Sequence, residues 1–303
     1  MDGILNINKP IGMTSFDVVA RIRKLTGTRK AGHAGTLDPD ASGVLPVCVG
    51  RATRIMEFLM EKDKAYRVGL SLGRATDTQD ASGRTIYEKP VLHDDPTIIE
   101  TIKSFTGTRE QIPPMYSAVR VDGQRLYELA RKGIEVERKP RTVTFYRIDI
   151  IDIVRHRDKV DVTMLVECSK GTYMRTLCHD IGENLNCGGH MFSLERIRSG
   201  PFSIESSYTL EELEELKKQN NLKLAIIETD KALLHFPRVD MDGTDAKKLR
   251  NGLMLPAEDL LPGYARVYCG DVFLAVGKVF EKGGRKLIKT HKWINLDWSE
   301  RMN

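Results

Sequence analysis

Gly32-His33-Ala34-Gly35-Thr36-Leu37-Asp38-Pro39, followed after Asp40 by Ala41-Ser42-Gly43, holds a carboxylate between a glycine and a proline with a histidine on its shoulder. Its wealth of Gly, Pro, Asp, Ser and Thr predicts a long loop over 32–43, opening into a strand at Val44–Val49. An aspartate in such a loop ordinarily bonds its own backbone and shapes a turn, so what surrounds it decides its meaning. Upstream, Ile4 to Ile7 alternates as a short strand, and Lys9-Pro10-Ile11-Gly12 breaks it. Ser15 is then expected to cap a helix reaching Leu25. On that helix Phe16, Val19, Ile22 and Leu25 mark a core face, while Arg21, Arg23 and Lys24 point elsewhere.

Downstream, Tyr66 to Leu72 reads as a strand, and Ile98, Ile102 and Phe105 mark a helix. Pro113-Pro114 interrupts the chain and opens a stretch, to Gly133, of mixed aromatic, basic and glycine residues that departs from the main body. Thr142 to Val154 and Lys159 to Cys168 form a strand pair across the charged turn Arg155 to Asp158. Met174, Leu177, Ile181 and Leu185 share a helix face, and Leu210 to Lys217 is another helix. After about 236, a helix at Asp245 to Arg250 and short strands at Arg266 to Cys269, Val272 to Val279 and Lys286 to Ile288 make a small β module. Strands and helices intermingle without a βαβ period, so the class is α+β.

With 303 residues, 41% of them hydrophobic, the chain suits one large body with a smaller appendage. A net charge of +5 says little, but its distribution says more. Arg21 to Lys30, Arg120 to Arg147 and Lys278 to Lys292 gather the cations, whereas the acidic stretch Glu205 to Glu215 reads as a solvated helix face turned away from any phosphate. The five cysteines include no Cys-x-x-Cys; Cys187 and His190 are spaced like ligands, but no second pair completes a zinc site. Free thiols without an export signal point to the cytoplasm, and no apolar run reaches the length of a membrane span. Phosphate-loop, dinucleotide, serine-hydrolase and zincin motifs are missing from the sequence, so no nucleotide cofactor or metal is expected.

The chain resembles the TruB family of pseudouridine synthases. Six blocks occur in the family's order: Lys9-Pro10 with Gly12 and Thr14-Ser15; Gly32 to Pro39 with Ala41-Ser42-Gly43; Lys64-Ala65-Tyr66; Pro113 to Ala118; Ser169-Lys170-Gly171-Thr172-Tyr173-Met174-Arg175; and Leu194-Glu195-Arg196 running to Gly200-Pro201-Phe202. The resemblance implies a mixed, mainly antiparallel sheet flanked by helices and loops, with a catalytic domain at 1–235. An RNA-gripping thumb at 113–139 and a PUA-like RNA-binding domain at 236–303 complete the expected layout.

The implied activity is cofactor-free isomerisation of uridine to pseudouridine at position 55, in the TΨC loop of tRNA, by a monomer acting on the T-arm stem-loop. Asp38 would be the essential carboxylate, Arg175 its ion-pair partner, and Tyr66 the aromatic against the uracil. His33 would stack where the flipped base had been, with Tyr173, Leu194 and Lys9 also at the substrate. Arg120, Arg125, Arg131, Lys132, Lys282, Arg285, Lys286 and Lys289 would meet the RNA backbone. Two other readings share these motifs: the catalytic subunit of a guide-RNA particle, and a noncatalytic RNA-binding or RNA-folding protein.

Overall fold

The computed structural model describes residues 1–117, 119–121 and 123–298. Its main body is a nine-stranded sheet whose central path runs Gly3–Lys9, Ser42–Val49, Gly189–Ser199, Lys64–Leu72, Val160–Cys168, Arg141–Arg155 and Gly107–Gln111. Every pairing is antiparallel except that of Ser42–Val49 with Gly189–Ser199, so the class is α+β with a mixed, mainly antiparallel sheet. The period-two alternation of strands sorts the core. Leu5, Ile7, Leu45, Val47 and Val49 join one large cluster with Val18, Val19 and Ile22 of the N-terminal helix. Ile4, Val44 and Cys48 point to the opposite face, against Phe58, Val276 and Ile294. Both faces being covered, these strands read as nearly continuous apolar runs.

Four expectations need correction. The helix spans Ser15–Thr26, but Thr14 is its cap: its hydroxyl accepts from the Asp17 amide and the Asp17 carboxylate accepts from the Thr14 amide, a complete capping box. Phe16, expected in the core, is 67% exposed, and Val18 is buried instead. The stretch 32–43 is not all loop, since Ala31–His33 pairs with Val47 to Val49 and the next strand already begins at Ser42. The central strand Gly189–Ser199 was not expected at all. Its register shifts at Met191/Ser193 and Arg196/Arg198 interrupt the alternation that would have revealed it.

A separate five-stranded sheet, ordered Arg238–Asp240, Gly263–Cys269, Val272–Lys282, Arg285–Trp293 and Leu255–Pro256, encloses its own core around Val267, Leu274, Ala275 and Ile288. It seats on the body through Phe58, whose ring lies 4.9 Å from Tyr264 and 5.4 Å from Phe236, and through Arg54, which donates to the Trp293 carbonyl at 2.8 Å. Among the described residues no helix is long and apolar enough to cross a membrane.

Candidate active site

A cleft of about 1100 Å³ opens beside the loop 36–41 and is walled by Asp38, Asp80, Tyr116, Arg175, Phe192 and Leu194, with Ile11 and Phe16 also lining it. Arg175 lies in the first turn of the helix Met174–Asn184. The chain enters that helix in a fixed pose because the Gln111 amide clasps Tyr173 at both ends, accepting from its N–H at 2.8 Å and donating to its carbonyl at 3.0 Å. Arg175 is buried, and its guanidinium meets Asp38 at 3.0 Å, Asp80 at 3.5 Å and the Tyr116 carbonyl at 2.8 Å.

The two carboxylates differ in what else holds them. Asp80 Oδ1 accepts from the Thr78 and Ser82 hydroxyls at 2.7 and 2.6 Å, so Asp80 is locked in its turn. The Asp38 side chain is 46% exposed towards the cleft. One buried cation is thus shared by two acids, and Asp38 is the one free to meet a substrate.

Asp38 itself is half-exposed, but the backbone around it is clamped from both sides. The Ser15 hydroxyl accepts from the Leu37 N–H at 2.9 Å and donates to the Leu37 carbonyl at 3.0 Å. The Gly12 N–H and the Lys9 ammonium both reach the Pro39 carbonyl, at 2.8 and 3.3 Å. Arg196 donates to the carbonyls of Gly35 at 3.0 Å and Val44 at 2.7 Å, with a longer reach to Thr36 at 3.4 Å. Gly43 permits this approach: at φ +100° it occupies a region L side chains avoid, and a Cβ there would lie 2.3 Å from the Arg196 carbonyl.

Lys9, expected at the substrate, is instead fully buried beneath this loop, its ammonium also taken by the carbonyls of Pro10 and Met13 at 2.8 and 2.7 Å. Burial pushes its pKa down, and the nearby Asp38 and Asp40 partly restore it. Its position makes it a clasp for the loop, with no donor left over for a ligand.

Tyr66 is buried one layer behind the cleft wall. Its register partner across the adjacent strand is Arg196, which puts both side chains on one face. Burial raises the phenol's pKa, the Arg196 cation lowers it, and Asp38 is near enough to raise it slightly. Leu194 lines the cleft two residues before Arg196. His33 and Tyr173 stand outside the cleft wall; the His33 ring packs edge-on against Phe16 at 5.4 Å, and its pKa is lowered by burial and then by Arg196. Glu195 pairs with Arg67 on the neighbouring strand.

Of the expected RNA contacts, Lys132, Lys282, Arg285 and Lys289 are exposed, and Lys282 and Arg285 are register partners at a hairpin tip. Lys286 is half-buried and donates to the Glu258 carbonyl at 3.0 Å. The side chains of Arg120, Arg125 and Arg131 lie outside the described residues. Within the acidic stretch, expected as a solvated face turned away from any phosphate, Glu214 pairs with Arg21 at 2.7 Å, so one cation of the basic helix already has an acidic partner. Cys187 and His190, spaced like ligands, hydrogen-bond to the Gly188 and Arg74 carbonyls respectively.

Asp80, Arg196 and Ser15 were missed as site residues. Arg196 and Ser15 sit inside blocks that carried the family resemblance, so their presence was visible though their task was not. Asp80 could have been sought through Thr78-Gln79-Asp80-Ala81-Ser82, whose hydroxyls flank an acid at turn-forming spacing.

Comparison with known proteins shows the family. Residues 23–174 match the model for the TruB family pseudouridylate synthase N-terminal domain, and residues 175–235 match the tRNA pseudouridylate synthase B C-terminal domain. A tRNA pseudouridine synthase B from Clostridium kluyveri is 50% identical over 283 residues, covering 91% of this chain and 95% of that one. Another, from Bacillus licheniformis, is 48% identical over 257 residues, covering 84% and 83%. Among solved structures, a chain of a Cbf5-Nop10-Gar1 complex superposes with a TM-score of 0.74 at 30% identity, covering 96% of this chain and 84% of that chain.

Proposed function

This chain belongs to the TruB family of pseudouridine synthases, isomerases of tRNA uridine, and from that premise we propose that it acts on the uridine of the TΨC loop, in the isolated T arm, with Asp38 as its essential carboxylate. The observation that carries the reading is Asp38 half-exposed in a cleft while its partner Arg175 is buried behind it at 3.0 Å. Isomerisation breaks the bond from ribose C1′ to uracil N1, rotates the base and joins C1′ to C5; N1 gains a proton and C5 loses one. An ionised Asp38 faces the sugar–base junction and answers the positive charge that develops on the ribose as N1 departs. Leu194 bounds the space in which the detached uracil turns, and Tyr66 backs that wall from one layer behind. A uridine within a folded loop reaches Asp38 only after leaving its stack, and His33, which packs against Phe16 outside the cleft wall, takes the vacated place.

Residues 113–139 act as a thumb on the T arm and residues 236–303 as a PUA-like RNA-binding domain. Lys132, Lys282, Arg285 and Lys289 supply phosphate contacts that hold without reading sequence. The protein works as a cytoplasmic monomer. Greater similarity to proteins named tRNA pseudouridine synthase B than to the chain of the Cbf5-Nop10-Gar1 complex supports a tRNA substrate over a guided role.

The test is incubation of the purified chain with an unmodified T-arm stem-loop, followed by carbodiimide treatment and primer extension. A single stop at the loop uridine is expected, lost in Asp38→Asn while hairpin binding persists. Inactivity on the bare hairpin, with conversion once a guide RNA is added, would replace this reading by the guided one. Residual conversion in Asp38→Asn would remove Asp38 from its role.

A further inference from the structure

Phe16 has no part in the packing of its helix. The buried positions of Ser15–Thr26 are Ser15, Val18, Val19, Ile22 and Leu25, and Phe16 stands off that stripe with 67% of its surface exposed. A large aromatic held in water gains nothing for the fold. Its location is specific, however: it lines the cleft that holds Asp38, together with Ile11, which is equally exposed. Its ring is oriented by the edge of His33 at 5.4 Å and 82°. The helix beneath is anchored by its capping box and by the Ser15 hydroxyl bonded to Leu37, so the platform cannot drift relative to the catalytic loop. The cleft therefore has a charged floor of Asp38, Arg175 and Asp80 and exposed aromatic rings at Phe16 and Phe192, of which Phe16 is the more exposed. Nucleobases match that division, with polar edges and apolar faces.

We propose that Phe16 is a stacking platform for a nucleobase of the RNA hairpin next to the target uridine, working beside His33 to hold the opened loop at the cleft mouth. The inference rests on the T-arm reading above and adds a positioning residue to it. Stacking accepts any base, so Phe16 contributes affinity and loop geometry without selecting sequence.

The experiment uses the full-length chain carrying Asp38→Asn, so that RNA is bound and not converted, with Phe16→Ala, Phe16→Leu and Phe16→Trp added singly. The probe is the unmodified T-arm stem-loop, with its dissociation constant measured at several salt concentrations. Phe16→Ala is expected to bind roughly five- to hundredfold more weakly, with an unchanged slope of log affinity against log salt because no phosphate contact is lost. Phe16→Leu, apolar but without a π face, should bind as weakly as Phe16→Ala, and Phe16→Trp should bind as well as the parent. Melting temperatures should agree across the series. Binding of Phe16→Ala within twofold of the parent, or recovery by Phe16→Leu equal to that of Phe16→Trp, overturns the proposal. If the chain with native Asp38 and Phe16 leaves the hairpin unconverted, the T-arm reading itself fails and this inference falls with it.

Discussion

Arg196 and Tyr66 are register partners on adjacent antiparallel strands, and the guanidinium beside the Tyr66 phenol also donates to the carbonyl of Gly35, just upstream of Asp38. One buried side chain therefore links the wall behind the cleft to the loop that carries the carboxylate. A buried cation is costly unless its donors are used, and Arg196 spends its donors on backbone carbonyls and the phenol.

Arg196→Met should leave the Gly35 and Val44 carbonyls without their donor and loosen the loop around Asp38. A misplacement of about 1 Å costs roughly a hundredfold in rate, so kcat on the T-arm hairpin should fall by about that factor while the dissociation constant, set largely by phosphate contacts, moves little. Single-turnover kinetics and filter binding on the same preparations check it; an unchanged kcat would contradict the link.

Asp80→Asn keeps the shape of the turn and removes the second carboxylate from Arg175. The guanidinium then has a weaker hold on one side, and its angle to Asp38 relaxes. A fall of about tenfold to a hundredfold in kcat is expected, with KM within a few-fold, because a charge-assisted contact contributes roughly 1.5–3 kcal/mol. Equal losses in KM and none in kcat would assign Asp80 to RNA binding instead.

Lys64 is buried and its ammonium donates to the Met60 carbonyl at 3.0 Å and to the Lys62 carbonyl. Burial, helped by the nearby Arg196 cation, pushes its pKa down to about 8. Below that pH the folded and unfolded chains both carry the proton and the full cost of the buried charge is present. Above it the folded chain releases the proton while the unfolded chain keeps it, so stability rises with pH. The Cys168 thiol, pushed up to about 12 by burial, acts in the opposite direction above the ordinary thiol range. Comparing the parent with Lys64→Met isolates the lysine: denaturant melts should show the parent gaining about 1 kcal/mol on the variant between pH 8 and pH 9. A flat difference would show that the ammonium is solvated.

Lys282 and Arg285 face each other at an exposed hairpin tip. Changing both to Gln should weaken tRNA binding and reduce the slope of log affinity against log salt by roughly one to two, while leaving kcat at saturating RNA unchanged. An unaltered slope would place this tip away from the RNA.

Much of the fold was legible because its elements obey simple periods. Val160–Cys168 alternates buried and half-buried residues without a break, and the helix Met174–Asn184 buries Leu177 and Ile181 on one face. The strand Gly189–Ser199 escaped because two register shifts interrupt its alternation, although its Leu194-Glu195-Arg196 block was visible as a motif. Phe16 was misassigned for a geometric reason. Steps of three residues drift backwards around a helix, so Phe16 lies about 120° from Ile22 and off the stripe that Val18, Val19 and Ile22 share.

Sequence alone determined the α+β class and the order of the motif blocks, because residue type and local spacing encode these directly, while the pairing of Asp38 with Arg175 was an expectation carried by the family resemblance. Tertiary structure decided the tasks of the remaining polar residues. Lys9 and Arg196 became loop clamps, Arg21 was neutralised by Glu214, and Asp80 joined Arg175 from a distant turn. The reason is that a charged side chain's role depends on which carbonyls, carboxylates and solvent surround it, and those neighbours come from segments far apart in the chain.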